Sequence, residues 1–131
     1  MTKEEAELWI RRLEGGNSDD AYRPSTNLSI VLRLMLHSGL KAVKIYRLTV
    51  GEYQQKTFPV REEDNRIIQD HIRKNQLEDT DLLIRVSDRA LRYKFQNLVS
   101  VYHTRGRRPE MADFFFAGQG IEDNKPMKRT E

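Results

Sequence analysis

Seven basic side chains crowd one 24-residue stretch. Arg85, Arg89, Arg92, Lys94, Arg105, Arg107 and Arg108 face a single acid there, Asp88, so residues 85–108 carry a net +6. The whole chain carries only +3, because residues 1–20 and 61–81 are each at −3. A local positive surface attracts a polyanion whose condensed counterions are released on binding, and nucleic acid is the commonest such partner. The alternative is a solvated face offset by the acidic blocks. Other chemistry-bearing residues offer less. His37, His71 and His103 fall on separate expected elements and lack metal-ligand spacing, so no metal or other cofactor is expected. His71, beside Ile67, Ile68 and Ile72, reads as a hydrogen-bonded histidine at the edge of the core. Gly118 and Gly120 have neither a strand before them nor a helix after them, which argues against a phosphate loop. Tyr46, Tyr53, Tyr93 and Tyr102 lie among bases, but packing is their default role. Absence of cysteine excludes disulfides, thiolate nucleophiles and cysteine zinc sites.

These residues must be positioned by a single modest core, since the chain has 131 residues, 37 % of them hydrophobic and 33 % charged. A folded middle with loose ends fits that composition. No run approaches the roughly 18 apolar residues of a membrane span, and the acidic N-terminus is unlike a signal peptide. The expectation is a soluble cytoplasmic protein without a membrane partner, nucleoid-associated if it binds DNA. Residues 2–14 predict a helix, opened by a Thr2/Glu5 capping box, with Ala6, Trp9, Ile10 and Leu13 inward. Gly15 to Pro24 predicts a loop. From Ser25 or Asn27 to His37 the chain is apolar on nearly every side. That predicts a central buried helix whose Ser29, Arg33, His37 stripe faces water or a polar partner, with Gly39 as C-cap.

Residues 40–50 are ambiguous, since Lys41 and Arg47 spoil one period-two face and Lys44 the other. Gln55 to Val60 predicts a short strand with Pro59 at an edge or end. Residues 61–75 predict a helix with acids first and bases last, burying Ile67, Ile68 and Ile72. Leu82 to Ile84 predict a brief extended piece. Ser87 caps either a helix to about His103, with Leu91, Phe95, Leu98, Val99 and Tyr102 inward, or a shorter strand at 91–95. After Tyr102 a basic turn, the Phe114 to Phe116 run and a polar tail follow.

Several segments in order resemble the tyrosine recombinases, the phage-integrase family. TKEEAELWIRRLEGG is similar to the TxEEhxxLLxAh helix that opens that family's catalytic domain. NLSIVLRLMLHSGLKAVKIYRL is similar to its apolar helix followed by TGLRxSEhhxL, and QKTFPV stands in place of KxRxVPL. LLIRVSDRALRYKFQNL is similar to LFxxSxRAhxxxhxxh, and the likeness covers about residues 2–102. The resemblance implies a mainly α fold with a small β element, like the first half of that catalytic domain. Residues 1–104 would form the partial domain and 105–131 a basic turn with a flexible tail. It also implies helices at 40–48 and 87–102, with Lys41 and Lys44 on one face and Arg85, Arg89 and Arg92 grouped away from Leu91 and Phe95.

The departures from the family pattern bear on activity. Lys41 stands at the first-arginine position and Lys44 at the glutamate three residues on, so no catalytic residue is intact. A lysine supplies charge but not the planar fork that grips two phosphate oxygens. Only Gly51 to Gln55 occupy the place of the hairpin that carries the family's lysine. No HxLRH or nucleophilic tyrosine follows residue 102. The resemblance therefore implies an integrase-like protein of DNA recombination or integration that binds duplex DNA without cutting it alone. Its contacts would be Lys41, Lys44, Lys56, Arg85, Arg89, Arg92 and Lys94, with Arg105, Arg107 and Arg108 as an arm. The alternatives are a regulatory or complementing partner of a full-length recombinase, self-association, or a remnant with no biochemical role.

Overall fold

In a computed structural model, residues 1–15, 25–103 and 105–121 are described. All but Gly15 of the expected 15–24 loop, and residues 122–131, lie outside them. The described chain is mainly helical: α1 (Lys3–Gly15), α2 (Thr26–Ser38), α3 (Ala42–Arg47), α4 (Val50–Gln54), α5 (Glu62–Lys74), α6 (Asp88–Tyr102) and α7 (Ala112–Gly118).

Helix α2 is the hub, because a sequence apolar on nearly every side has nowhere to go but the centre. Leu28, Ile30, Val31, Leu32, Leu34, Met35 and Leu36 are all buried, and α1, α3, α5, α6 and α7 pack around them. Each such side chain stabilises the fold by roughly 1.5–3 kcal/mol relative to an exposed one. Ser25 starts α2 by accepting from the Leu28 N–H at 3.2 Å, and Gly39 ends it at φ 71°, a left-handed conformation that costs a side-chain-bearing residue more. Helix α1 opens on the expected capping box and buries Ala6, Trp9, Ile10 and Leu13. Helix α6, capped by Ser87, buries Leu91, Phe95, Leu98 and Val99, which resolves its ambiguity in favour of helix. In α5 the inward residues are Asp64, Ile68 and His71, whereas Ile67 and Ile72 are only half-buried.

The expected strand at 55–60 does not form. The extended piece at 82–84 pairs instead with residues just before α4, through an antiparallel bridge between Thr49 and Leu82 and a 2.9 Å bond from the Leu83 N–H to Leu48 O. Where the family pattern has a hairpin, Val50–Gln54 forms α4, opened by a capping box of Thr49 and Glu52 at 2.9 and 3.1 Å.

Beyond residue 105 the expected flexible tail is corrected over residues 112–118. Helix α7 packs on α2, with Phe114 fully buried and edge-on to Phe95 at 5.7 Å. Gly118 lets α7 approach closely, because a Cβ there would stand 2.3 Å from Leu36 O.

Candidate nucleic-acid interface

The polar stripe of α2 decides which charges remain for a ligand. Arg33 grips Glu14 of α1 with two parallel bonds, Nε to Oε2 at 2.8 Å and Nη2 to Oε1 at 2.7 Å, and reaches Asp64 of α5 at 2.6 Å. Ser29 also donates to Glu14. His37 bonds Asp64 through Nδ1 and Glu7 through Nε2, both at 2.7 Å. Burial pushes the Asp64 and Glu14 carboxyls up, yet the bonds from His37 and Arg33 to Asp64, and from Arg33 and Ser29 to Glu14, outweigh it and hold both below the ordinary range. Burial pushes His37 down, and its two carboxylate partners outweigh that and raise it. The network thus engages Glu7, Glu14 and the buried Asp64, and Arg33 is spent there as well.

The expected contact residues then sort into distinct places. Lys41 is the N-cap of α3, and its ammonium lies 5.7 Å from the Phe115 ring of α7. Lys44 lines a different surface, a groove of about 520 Å³ shared with Arg47, Lys56, Val43, Leu48 and Phe58. The expected pairing of Lys41 with Lys44 on one face is therefore replaced by a pairing of Lys44 with Arg47 and Lys56. The reason is that Lys41 precedes the helix instead of lying on it. Lys56 is half-buried, its ammonium 4.2 Å from the Tyr53 ring, and Tyr53 is anchored by donating to Asn65 Oδ1 at 2.8 Å.

On α6, Arg89, Arg92 and Lys94 are all exposed. At 3.6 residues per turn, Arg92 and Lys94 lie about 160° apart around the axis, on opposite flanks of the buried stripe. The Arg92 flank adjoins α3: the Tyr46 phenol is raised by burial and by the nearby Asp88 charge, partly offset by Arg92. The other flank looks toward the start of α2 and the end of α5, where Lys94 borders a groove with Asn27, Asp70 and Lys74. Arg85 precedes α6 and lines the adjacent cavity with Asn27, His71 and Asn75, so it does not extend the Arg89, Arg92 row along the helix. His71 holds the edge of the core, its Nε2 3.0 Å from Leu83 O.

The expected arm is partly tied down. Arg107 donates to the buried Asp113 at 2.9 Å, and Arg108 reaches Ser100 Oγ at 3.4 Å, while Arg105 is exposed. Sequence reasoning missed Arg47, weighing it only as a break in a strand face. Its signal was available: it lies three residues after Lys44, one helical turn on. Among the described residues no group of His, Asp and Glu is placed to hold a metal ion, and no helix is long and apolar enough to cross a membrane.

No family model, curated protein or solved structure matches this chain.

Proposed function

We propose that this chain is an integrase-like DNA-binding protein that grips the phosphates of duplex DNA and does not cut it alone. One observation carries the reading. Glu7, Glu14 and Asp64 are engaged by Arg33 and His37 of α2, while Lys44, Arg47 and Arg89 stand exposed and, among the described residues, outside any ion pair. Arg92 is held only loosely, 3.9 Å from Asp88, and adjoins α3 across Tyr46. Two neighbouring helices thus present cations free to replace the counterions of a polyanion. Contacts of this kind position a protein on DNA without reading bases, so weak sequence preference is expected. Cleavage is disfavoured at Lys41, which lacks a guanidinium fork and lies over the Phe115 ring.

Fluorescence anisotropy with labelled duplexes of unrelated sequence, from about 50 to about 200 mM salt, tests the reading. Binding should weaken steeply with salt, by roughly 0.9 log units per log unit of salt for each phosphate contacted. Arg89→Ala with Arg92→Ala should lower that slope by up to about two units. Salt-independent or absent binding contradicts the proposal. A covalent protein–DNA adduct formed by this chain alone contradicts its non-cutting part.

A further inference from the structure

We infer that Lys44, Arg47 and Lys56 form one phosphate-gripping groove for the sugar–phosphate backbone of a DNA strand, with Arg47 as a contact residue. The inference rests on the DNA-binding reading and says where on the molecule the strand lies.

Three cations line this groove against one acid, Glu52, so it stays net positive. The Glu52 carboxylate is turned to the start of α4, where Oε1 accepts the Thr49 N–H at 2.9 Å. Among the described residues neither Lys44 nor Arg47 makes an ion pair, and both are exposed. Lys56 is placed in advance by the Tyr53 ring, so part of the entropy of ordering its long side chain is already lost before a ligand arrives. Val43, Leu48 and Phe58 supply an apolar floor, against which a charge-assisted bond to phosphate is stronger than in open water. A deoxyribose ring offers the matching apolar surface.

The occupant follows from size and continuity. With a water taking about 30 Å³, a groove of about 520 Å³ greatly exceeds one phosphate ion. Beyond the groove, Arg92 of α6 lies close enough to act on the Tyr46 phenol of α3, beside Asp88 at 3.9 Å, so a further cation stands within reach of an elongated polyanion. Arg47 supplies the planar fork suited to two phosphate oxygens at once, and the two lysines act as point charges beside it.

The test uses the full chain, a labelled duplex, and four variants: Arg47→Ala, Arg47→Lys, Lys44→Ala with Lys56→Gln, and Arg11→Ala on α1 as a control. Thermal melts check that each variant is folded. Arg47→Ala should weaken duplex binding about three- to ten-fold near 0.1 M salt and lower the salt slope by about one unit. Arg47→Lys should restore the slope but not the full affinity, because charge returns and the fork does not. The double variant should lower the slope by about two units, and Arg11→Ala should leave it unchanged. If the wild-type chain binds duplex and Arg47→Ala does not alter the slope, this groove is excluded while the DNA reading stands. If the wild-type chain does not bind duplex, the DNA reading itself falls. Binding of inorganic phosphate or a polyglutamate peptide in place of duplex, lost in Arg47→Ala, would overturn the assigned occupant.

Discussion

His37 bonds a carboxylate oxygen through each of its ring nitrogens, and ionised carboxylates can only accept. A neutral imidazole has one N–H, so both bonds require the imidazolium. Its pKa, raised against the opposing effect of burial, places its contribution to stability fully below the ordinary value near 6.5, to be lost as pH rises through the higher folded value. Asp64 and Glu14 work in the opposite sense. Their depressed values make their contribution present above the ordinary carboxylate range and lost as pH falls through the folded values. Thermal stability should therefore hold a plateau between those limits, and His37→Gln should remove its alkaline limb. Nitrogen-detected NMR of His37 at neutral pH should find both ring nitrogens protonated; a neutral tautomer would refute the assignment. Asp64→Ala removes the acceptor that Arg33 and His37 share, leaving them Glu14 and Glu7, and should cost about 1–3 kcal/mol in urea denaturation.

At the scale of elements, α7 is the piece whose role the sequence hid. Phe114 to Phe116 signalled burial, but the glycines around them and a polar end masked a helix of only seven residues. Two substitutions test its docking. Gly118→Ala drives a methyl group into the α2 backbone at Leu36 and should destabilise by about 1–3 kcal/mol, and Phe114→Ala should cost about 3–5 kcal/mol. If both leave the denaturation midpoint unchanged, α7 does not pack there. Helices α1, α2 and α5 were legible from their apolar patterning and from cap or charge signals at their ends, whereas the apolar spacing in α6 left a strand at 91–95 open. Helix α4 was hidden by its length and by Gly51, although Thr49 and Glu52 spelled its capping box. The 55–60 segment misled because β-branched residues and Pro59 suit an edge strand, yet residues 48–51 took the extended partner first. Thr49→Ala should cost about 1 kcal/mol through loss of that cap, measured by the same denaturation.

For the whole molecule, the sequence announced a positive region but not its layout. Charge counting found residues 85–108 as one run, and folding divides its first part between Arg85 ahead of α6 and two flanks of that helix, while bringing Lys44, Arg47 and Lys56 together from separate segments. The α2 stripe was visible as three polar residues at spacing four. Its partners were not, because Glu7, Glu14 and Asp64 arrive from two other helices and look like ordinary surface acids in the sequence. Those acids fasten α1 and α5 to α2, while Lys44, Arg47 and Arg89 of α3 and α6 remain outside any ion pair among the described residues. Titration of isotope-labelled protein with a duplex of arbitrary sequence, followed by amide chemical shifts, tests this most directly. The account predicts salt-sensitive shifts concentrated on residues 43–47, 55–58 and the Arg89, Arg92 side of α6. Shifts confined to the exposed faces of α1 and α5, or no shifts at low salt, would contradict it.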